Sequence, residues 1–277
     1  MLKQRVITAL ILVGLLLGAL AWSRLAFVAL ITLAFAITQA EWLRLSGWSL
    51  RTALTVALAI GVVQFALYAM APGTLMGLEP ALAAIATAVW IVLGVVLLRS
   101  AQRDPIRIPA GASRVLAWVL PLSAWAAGLM FLQIGAVYLL SVLVIVWLAD
   151  IAAYFVGRAF GRRKLAPHIS PGKTWAGVWG AIGGVVLVAL GVWFAVPDAP
   201  FFTHWILRAF GVPLAVVLLA LLVVISIVGD LTESLLKRQA GAKDSSDLLP
   251  GHGGFFDRLD SMLALLPAAA LIQGSVT

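Results

Sequence analysis

The chain contains no cysteine and few charged residues. Of its 277 residues, 63% are hydrophobic and 11% are charged, whereas a soluble domain carries about 25% charged residues. The absence of cysteine excludes disulfides, thiolate nucleophiles and cysteine-based zinc sites, and it leaves the redox compartment open. No long polar block is present from which a soluble domain could be built. The composition therefore predicts a polytopic integral membrane protein.

Basic residues outnumber acidic ones, and the formal net charge is +8. A basic chain can bind nucleic acid, but here the Lys and Arg residues lie between apolar runs. Membrane topology and contact with anionic head groups explain that placement better. Membrane lipids are therefore predicted as partners, and nucleic acid is not.

Nine apolar runs approach the ~20 residues that span a bilayer. The first resembles a signal peptide, but further spans follow at once, which favours a first span or signal anchor. With the N-terminus inside, 17 of the 19 Lys and Arg residues fall in inner loops. The positive-inside rule therefore predicts about nine transmembrane helices with a cytoplasmic N-terminus. The runs cover residues 6–22, 25–40, 53–71, 81–98, 115–132, 134–156, 174–196, 211–229 and 259–273.

The N-terminal half contains little chemistry. Its acidic residues, Glu41, Glu79 and Asp104, are predicted to lie in loops. The basic segment at 99–107 is interpreted as a topology determinant that could also attract anionic lipid. Residues 1–140 are therefore predicted to form a transmembrane scaffold, and residues 141–277 a catalytic region.

Most of the reactive residues lie in one stretch, from Ser234 to Asp260. Charges near a bilayer are costly, so a mixed-sign cluster beside apolar helices indicates a functional site. Lys and Arg bind phosphate oxygens, carboxylates hold Mg²⁺, and the Gly-His-Gly-Gly turn at 251–254 lets the backbone approach a ligand. The charged and His residues of this stretch are Lys237, Arg238, Lys243, Asp244, Asp247, His252, Asp257, Arg258 and Asp260.

Helical spacing groups several of these side chains. Asp230, Ser234 and Lys237 lie at i, i+4 and i+7 and so share one face. Surface salt bridges would show the same spacing, but the adjacent membrane makes such charges costlier. Asp257 and Asp260, at i and i+3, begin the last span, where two carboxylates could bridge divalent cations. A simple preference for acidic residues at a helix start would also give this pair.

A second polar stretch lies upstream. Asp150 ends an apolar run and shares a helical face with Tyr154 and Gly157, which favours a functional role over a merely interfacial position. Further on, the sequence S-P-G-K-T at 170–174 opens the next span. Free backbone N–H groups at a helix start, next to Lys173, would form an anion site, although the spacing is not that of a P-loop.

Both stretches resemble the signature of phosphatidate cytidylyltransferases, also called CDP-diacylglycerol synthases. The pattern S-x-L-K-R-x-x-x-x-K-D-x-S-x-x-L-P-x-H-G-G-F-x-D-R-L-D covers 234–260. D-x-x-A-Y-x-x-G and S-P-G-K-T-W-A-G resemble the second block of that family, except that Ala176 stands where an acidic residue is expected. The resemblance implies an all-α homodimer in a bacterial inner membrane or an organellar membrane, and the placement of Lys and Arg predicts that its active site faces the cytoplasm. It also implies Mg²⁺-dependent transfer of CMP from CTP to phosphatidate, giving CDP-diacylglycerol and pyrophosphate.

The resemblance and the spacing together imply roles for individual residues. One or two Mg²⁺ ions, which a monovalent ion could accompany, would be held by Asp230, Asp257 and Asp260. The catalytic residues would be Ser234, Lys237, Asp257 and Asp260. The substrate-binding residues would be Asp150, Ser170, Lys173, Arg238, Lys243, Asp244, His252, Gly253, Gly254 and Arg258. A phosphate monoester has a second pKa of about 6, so the nucleophile is already ionised at pH 7 and no strong general base is required.

Three other interpretations stay open. A related enzyme that uses CTP or another nucleotide on a different lipid, such as a polyprenol or phytol kinase, would resemble this family loosely, without the complete K-D…H-G-G…D-R-x-D pattern. A transporter or channel would place its charges in the middle of spans and in both halves, whereas here they cluster at span ends in the C-terminal half. A structural membrane protein without chemistry leaves the signature unexplained.

Overall fold

The computed structural model describes residues 2–100 and 106–276, and within these ranges the chain forms nine α-helices and one β-hairpin. The apolar part of each helix coincides with one of the nine predicted runs. The middle of the basic segment at 99–107, including Arg103 and Asp104, lies outside the described residues. The elements are α1 Leu2–Trp22, α2 Arg24–Leu45, α3 Leu50–Met70, α4 Pro72–Ser100, α5 Ala110–Ile134, α6 Ala136–Phe160, β1 Lys164–Ala166, β2 Ser170–Thr174, α7 Trp175–Ala195, α8 Phe202–Gln239 and α9 Phe256–Gly274.

The helices have the dimensions of a membrane protein. In the described part of the chain, seven helices, α2 to α8, are long and apolar enough to cross a bilayer, and α1 contributes a shorter apolar segment, Leu10–Trp22. The predicted all-α, polytopic membrane fold is therefore confirmed. The count of nine spans and the cytoplasmic N-terminus stay predictions.

Helix α9 occupies the centre of the bundle. It contacts α2, α4, α5, α6 and α8, and every residue from Ser261 to Ala270 is buried. Small residues permit this close packing: a Cβ on Gly229 of α8 would lie 2.4 Å from the Asp260 carbonyl oxygen of α9. The last apolar run is therefore enclosed by protein, and its charged N-terminal turn is held beside the end of α8.

Helix α8 is kinked and extends well beyond its predicted run. The kink lies at Gly211, whose φ of 71° suits glycine, and Pro213 follows it. The helix continues through its charged turns to Gln239, and Lys237 and Arg238 in the last turn match the negative end of the helix dipole. This extension carries Asp230, Glu233 and Lys237 towards α9.

The hairpin was not predicted. Its two strands are antiparallel, with Lys164 opposite Thr174 and Ala166 opposite Ser170. Residues 170–173 therefore belong to a strand instead of a free helix-opening loop, which corrects the predicted arrangement. The helix start itself is capped, because the Thr174 Oγ1 accepts a hydrogen bond from the Gly177 N–H at 3.1 Å. The hairpin places Lys173 beside α8.

Candidate active site

The predicted site residues lie in two regions. One is a cavity of about 540 Å³ between α6, the hairpin, α7 and α8, which we call the open cavity. The other is a buried set of hydrogen bonds beneath residues 245–257, which we call the turn network. The charged and phenolic residues that line the open cavity are Asp150, Tyr154, Arg158, Lys164, Lys173 and Asp230.

An ion pair lies at the wall of the open cavity. Lys173 Nζ is 2.5 Å from Asp230 Oδ2, and the two side chains are 24% and 30% exposed. On the same α8 face, the Ser234 hydroxyl donates to Asp230 Oδ1 at 3.4 Å. The predicted pairing of Asp230 with Ser234 on one helical face is therefore present, and Lys173 from the hairpin joins them. Asp230 has few protein partners, so it can still accept a ligand.

Two further carboxylates lie close to this pair. Asp150 lines the same cavity as Asp230 and Lys173, and Asp260 lies where α9 packs against Gly229, the residue before Asp230. The Asp260 Oδ1 accepts the Ser261 backbone N–H at 2.6 Å. Three helices, α6, α8 and α9, thus bring carboxylates around one ammonium group. Such a cluster favours binding of a cation or of a cation–phosphate complex.

The turn network is centred on Asp257. Lys237 Nζ lies 2.6 Å from Asp257 Oδ1 and 2.7 Å from Glu233 Oε2. Asp257 Oδ2 accepts the Ser245 N–H at 2.8 Å, the Ser245 hydroxyl at 2.6 Å and the Gly254 N–H at 2.8 Å. Lys237 and Asp257 are therefore in direct contact, and Asp257 is already engaged by protein donors.

These donors decide the ionisation of Asp257. The residue lies in the first turn of α9, before the apolar run at 259–273. Burial alone would raise the pKa of its carboxyl group, but the hydrogen bonds from Lys237, Ser245 and Gly254 outweigh burial and hold the pKa well below its ordinary value. Asp257 is therefore a permanently charged anchor for the turn.

Glu41 of α2 is the residue that the sequence analysis missed. It was predicted in a loop, which is wrong: it lies in α2 and is 1% exposed. Its Oε2 accepts the Phe256 N–H at 2.7 Å and lies 3.0 Å from the Ser245 hydroxyl. Its Oε1 accepts the Ser246 hydroxyl at 2.5 Å and the Phe255 N–H at 3.2 Å. Glu41 thus binds the free N–H groups that begin α9.

Neighbours of Glu41 reinforce the same contact. The Trp42 ring stacks on Phe256 with the centroids 4.8 Å apart, and the Arg44 Nη2 donates to the Ser245 carbonyl oxygen at 2.6 Å. The criterion applied to Asp150, an acidic residue at the end of an apolar run, also fits Glu41 and would have found it. Glu79, likewise predicted in a loop, lies in α4 and is 9% exposed.

The other predicted residues surround these two regions. Arg238 Nε donates to the Ile169 carbonyl oxygen at 3.4 Å, which ties α8 to the hairpin where Ser170 begins β2. Arg258 Nε donates to the His252 carbonyl oxygen at 3.1 Å. Gly253 has a φ of 78°, a left-handed conformation that favours glycine. Lys243 and Asp244 are exposed on the loop after α8.

The turn leaves no room for a side chain at Gly254. A Cβ there would lie 2.2 Å from the Ser245 hydroxyl and 2.5 Å from both carboxylate oxygens of Glu41. The glycine of the H-G-G pattern is therefore required for the close approach of Glu41, Ser245 and Asp257.

Carboxylate oxygens of the kind that Mg²⁺ prefers are present, but not as a preformed cage. Across residues 2–100 and 106–276, no group of three or more His, Asp or Glu side chains is arranged as a metal site. The Lys173 ammonium beside Asp230 marks a position where a positive charge is stabilised. Asp230 at the cavity wall therefore fits a cation, whereas Asp257 is engaged by Lys237, Ser245 and Gly254. The three-carboxylate metal set stays a prediction.

Comparison with known proteins gives matches along the whole chain. A model described as the cytidylyltransferase family matches residues 3–275. The chain is 40% identical over 279 residues to a phosphatidate cytidylyltransferase of Pseudomonas aeruginosa, covering 98% of this chain and 97% of that protein. It is 47% identical over 133 residues to one of Haemophilus influenzae, covering 48% and 44% of the two chains. It is 42% identical over 139 residues to one of Bacillus subtilis, covering 49% and 46%.

Proposed function

The chain belongs to the cytidylyltransferase family, and we propose that it transfers CMP from CTP to phosphatidate in phospholipid biosynthesis. A phosphate oxygen of phosphatidate attacks the α-phosphorus of CTP. The bond from that phosphorus to the oxygen bridging the α- and β-phosphates breaks, so CDP-diacylglycerol forms and pyrophosphate leaves. The observation that carries the proposal is the 40% identity over nearly the full length of a phosphatidate cytidylyltransferase.

Charge neutralisation is the main requirement of this reaction. An anionic lipid must approach an anionic triphosphate, while the lipid phosphate is already ionised at pH 7. Positioning and preorganised positive charge therefore supply the catalysis. Lys173, Arg158 and Lys164 line the open cavity and are suited to bind phosphate oxygens there. Ser234 lies one turn from Asp230 and can donate to the same ligand.

Mg²⁺ is the cofactor that this chemistry calls for. When bound, it would neutralise phosphate charge and orient the triphosphate. We assign it to Asp230, Asp257 and Asp260, one or two ions in all, with Asp230 and Asp260 as the principal ligands. Asp257 would contribute its Oδ1 once Lys237, which lies 2.6 Å from it, has moved to the substrate phosphate, while its Oδ2 keeps holding the turn.

The turn network has a separate role in this proposal. We assign Lys237, Arg238 and Lys243 to phosphate binding, and the turn with His252, Gly253 and Gly254 to the nucleotide pocket. The chemistry belongs to residues 141–277, with residues 1–140 as the scaffold that supports the turn through Glu41. We place the active site on the cytoplasmic side of a bacterial inner membrane, in a homodimer. The placement of Lys and Arg along the sequence and the bacterial relatives support that location.

A direct assay tests the function. Purified protein in detergent receives radiolabelled CTP and phosphatidate, with Mg²⁺ or with excess chelator. We expect labelled lipid and an equal amount of pyrophosphate, both dependent on Mg²⁺. Transfer of label from γ-labelled CTP to polyprenol or phytol with no transfer from α-labelled CTP to phosphatidate, or solute flux in vesicles without any labelled lipid, would contradict the proposal.

A further inference from the structure

An apolar groove lies along the seam between α6 and α7. It has a volume of about 210 Å³, and its walls include Val144 and Leu148 from α6 and Val185 and Val188 from α7. Val144 is 36% exposed and Val188 is 41% exposed, so the groove opens to the surroundings of the bundle. In a membrane protein these surroundings are lipid.

The groove lies next to the open cavity along the same two helices. On α6, Ser141 and Ile145 line the groove, and Ala149 and Ala153 line the cavity. These residues follow one another at intervals of four, so they share one face of the helix. On α7, Ala181 of the cavity lies one turn from Val185 of the groove. One face of each helix therefore lines the charged cavity and then the apolar groove, and we call these two adjacent spaces the track.

Close helix packing fixes the walls of this track. A Cβ on Gly180 of α7 would lie 2.4 Å from Val156, and one on Gly184 would lie 2.6 Å from the Ala152 Cβ. The α6 and α7 backbones therefore approach each other beside the cavity, without intervening side chains that could rearrange. The seam is consequently a built feature of the fold and not a gap between loosely packed helices.

The dimensions and polarity of the track suit one kind of ligand. From Val137 to Leu148 the groove follows α6 for about 16 Å at 1.5 Å per residue, the depth of one leaflet of a ~30 Å hydrocarbon core. Beyond Leu148 come Asp150, Arg158 and Lys173 of the cavity. An anionic head group at the charged end would leave an acyl chain directed along the apolar part.

We propose that this groove holds one acyl chain of the lipid substrate while its phosphate lies at Lys173. This inference rests on the proposed function and adds the lipid subsite and the direction of approach, laterally from the bilayer between α6 and α7. Acyl chains in a bilayer are already out of water, so the groove gains little from the hydrophobic effect. Its contribution is orientation, and it selects for chains long enough to enter it.

Filling the groove tests the inference. Val144→Trp and Val188→Trp place a large ring in it, and Val62→Trp is the matched control, because Val62 is 68% exposed on α3. Each protein is assayed with dioleoyl and with dihexanoyl phosphatidate in the same detergent. We expect each groove variant to lower kcat/KM about 10-fold for the long-chain lipid and to leave the short-chain value nearly unchanged. The control should change neither.

Other outcomes overturn the inference in distinct ways. Unchanged rates on both lipids would mean that the groove takes only a bystander lipid, and an equal loss on both would mean a general structural effect. An altered oligomeric state of the groove variants, measured by light scattering, would assign the groove to a second copy of this chain. Failure of the unaltered protein to label either lipid would instead contradict the proposed function.

A binding readout independent of turnover completes the test. Phosphatidate with a photoreactive group in its acyl chain is crosslinked to the protein, and labelled peptides are mapped by mass spectrometry. Phosphatidylcholine carrying the same chain is the comparison lipid. We expect phosphatidate to label α6 and α7 peptides in excess over phosphatidylcholine, and Lys173→Met to remove that excess. Equal labelling by both lipids would overturn the inference.

Discussion

The open cavity and the turn network are built from the same residue types, yet their carboxylates differ in how many protein groups contact them. Asp230 contacts Lys173 and, at 3.4 Å, the Ser234 hydroxyl, and it is part of the cavity wall. Asp257 is contacted by Lys237, the Ser245 N–H and hydroxyl, and the Gly254 N–H. A carboxylate whose acceptors are filled by the protein holds structure, whereas one with free acceptors can bind a ligand.

The ion pairs of the two regions should also differ in how much they contribute to stability. Half-exposed ion pairs such as Lys173–Asp230 contribute about 0–1 kcal/mol to stability. Breaking a buried pair by removing one partner costs about 3–5 kcal/mol, because a charge is left uncompensated. Substitutions in the open cavity should therefore separate activity from stability, and substitutions in the turn network should lower both.

Asp257→Asn is expected to have the largest effect. The amide loses the charge that faces Lys237 and presents an N–H group to donors, so cytidylyl transfer should be abolished. Glu233 still contacts Lys237, so the protein should fold, with unfolding free energy lowered by about 3 kcal/mol. Radiolabel transfer and thermal unfolding in detergent measure the two quantities. Retention of most of the activity would show that the network is not needed for the reaction.

Lys173→Met should show most clearly that activity can be lost without a loss of stability. Removing a positive charge that faces developing phosphate charge should lower kcat about 100- to 1000-fold, while the unfolding free energy changes by less than about 1 kcal/mol. The control is Asp198→Asn, which breaks the exposed pair with Arg208 away from the site and should alter neither quantity. A large loss of stability in Lys173→Met would contradict the assignment of this pair to ligand binding.

Gly254→Ala tests whether the turn must be tightly closed. Its methyl group would overlap Ser245 and Glu41, so the turn must shift, and overpacking of this kind costs about 1–3 kcal/mol. A displacement near 1 Å can lower turnover by about 10- to 100-fold. The matched control is Gly183→Ala, where a Cβ meets nothing within 4 Å. Equal activity of the two variants would show that the turn tolerates displacement.

Glu41→Gln should have the smallest of these effects. The amide retains one oxygen acceptor but loses the charge and the other acceptor that hold Ser245, Ser246 and the start of α9. We expect about a 10-fold loss of kcat, the lower end for residues that orient a site indirectly, with little change in KM. Glu79→Gln alters a second acidic residue that is buried in the described part of the N-terminal half and should leave kcat unchanged. A KM effect without a kcat effect would place Glu41 in substrate binding instead.

Hydropathy was sufficient to predict the helices but not their ends. Apolar runs indicate which segments of a chain lie in the lipid, and all nine predicted runs coincide with helices in the described residues. Helix α2 continues past its run to Leu45, and Glu41 in this extension is bound by groups more than 200 positions away along the chain. No local pattern contains that information. The hairpin was missed because its strands have three and five residues and include Pro171 and Gly172, which strands disfavour.

The candidate site was predictable in composition but not in arrangement. Spacing along one helix grouped Asp230 with Ser234 and Asp257 with Asp260. Spacing along one helix does not show which donors from other elements bind a carboxylate. It therefore could not distinguish Asp257, whose oxygens are bound by the turn, from Asp230, whose side chain lies at the cavity wall. The division follows from tertiary contacts, in which Gly229 lets α9 approach α8 and Gly254 lets the turn approach Glu41.

The central position of α9 sets an order of events during biosynthesis. Chains emerge from the ribosome N-terminus first, so α2 to α8 enter the membrane while the slot that α9 will fill is still vacant. Until residues 245–257 have been synthesised, Glu41 lacks its partner Ser245 and Lys237 lacks its partner Asp257. With Asp257 and Asp260 in the roles proposed for them, activity can begin only after the last described helix has been translated and inserted.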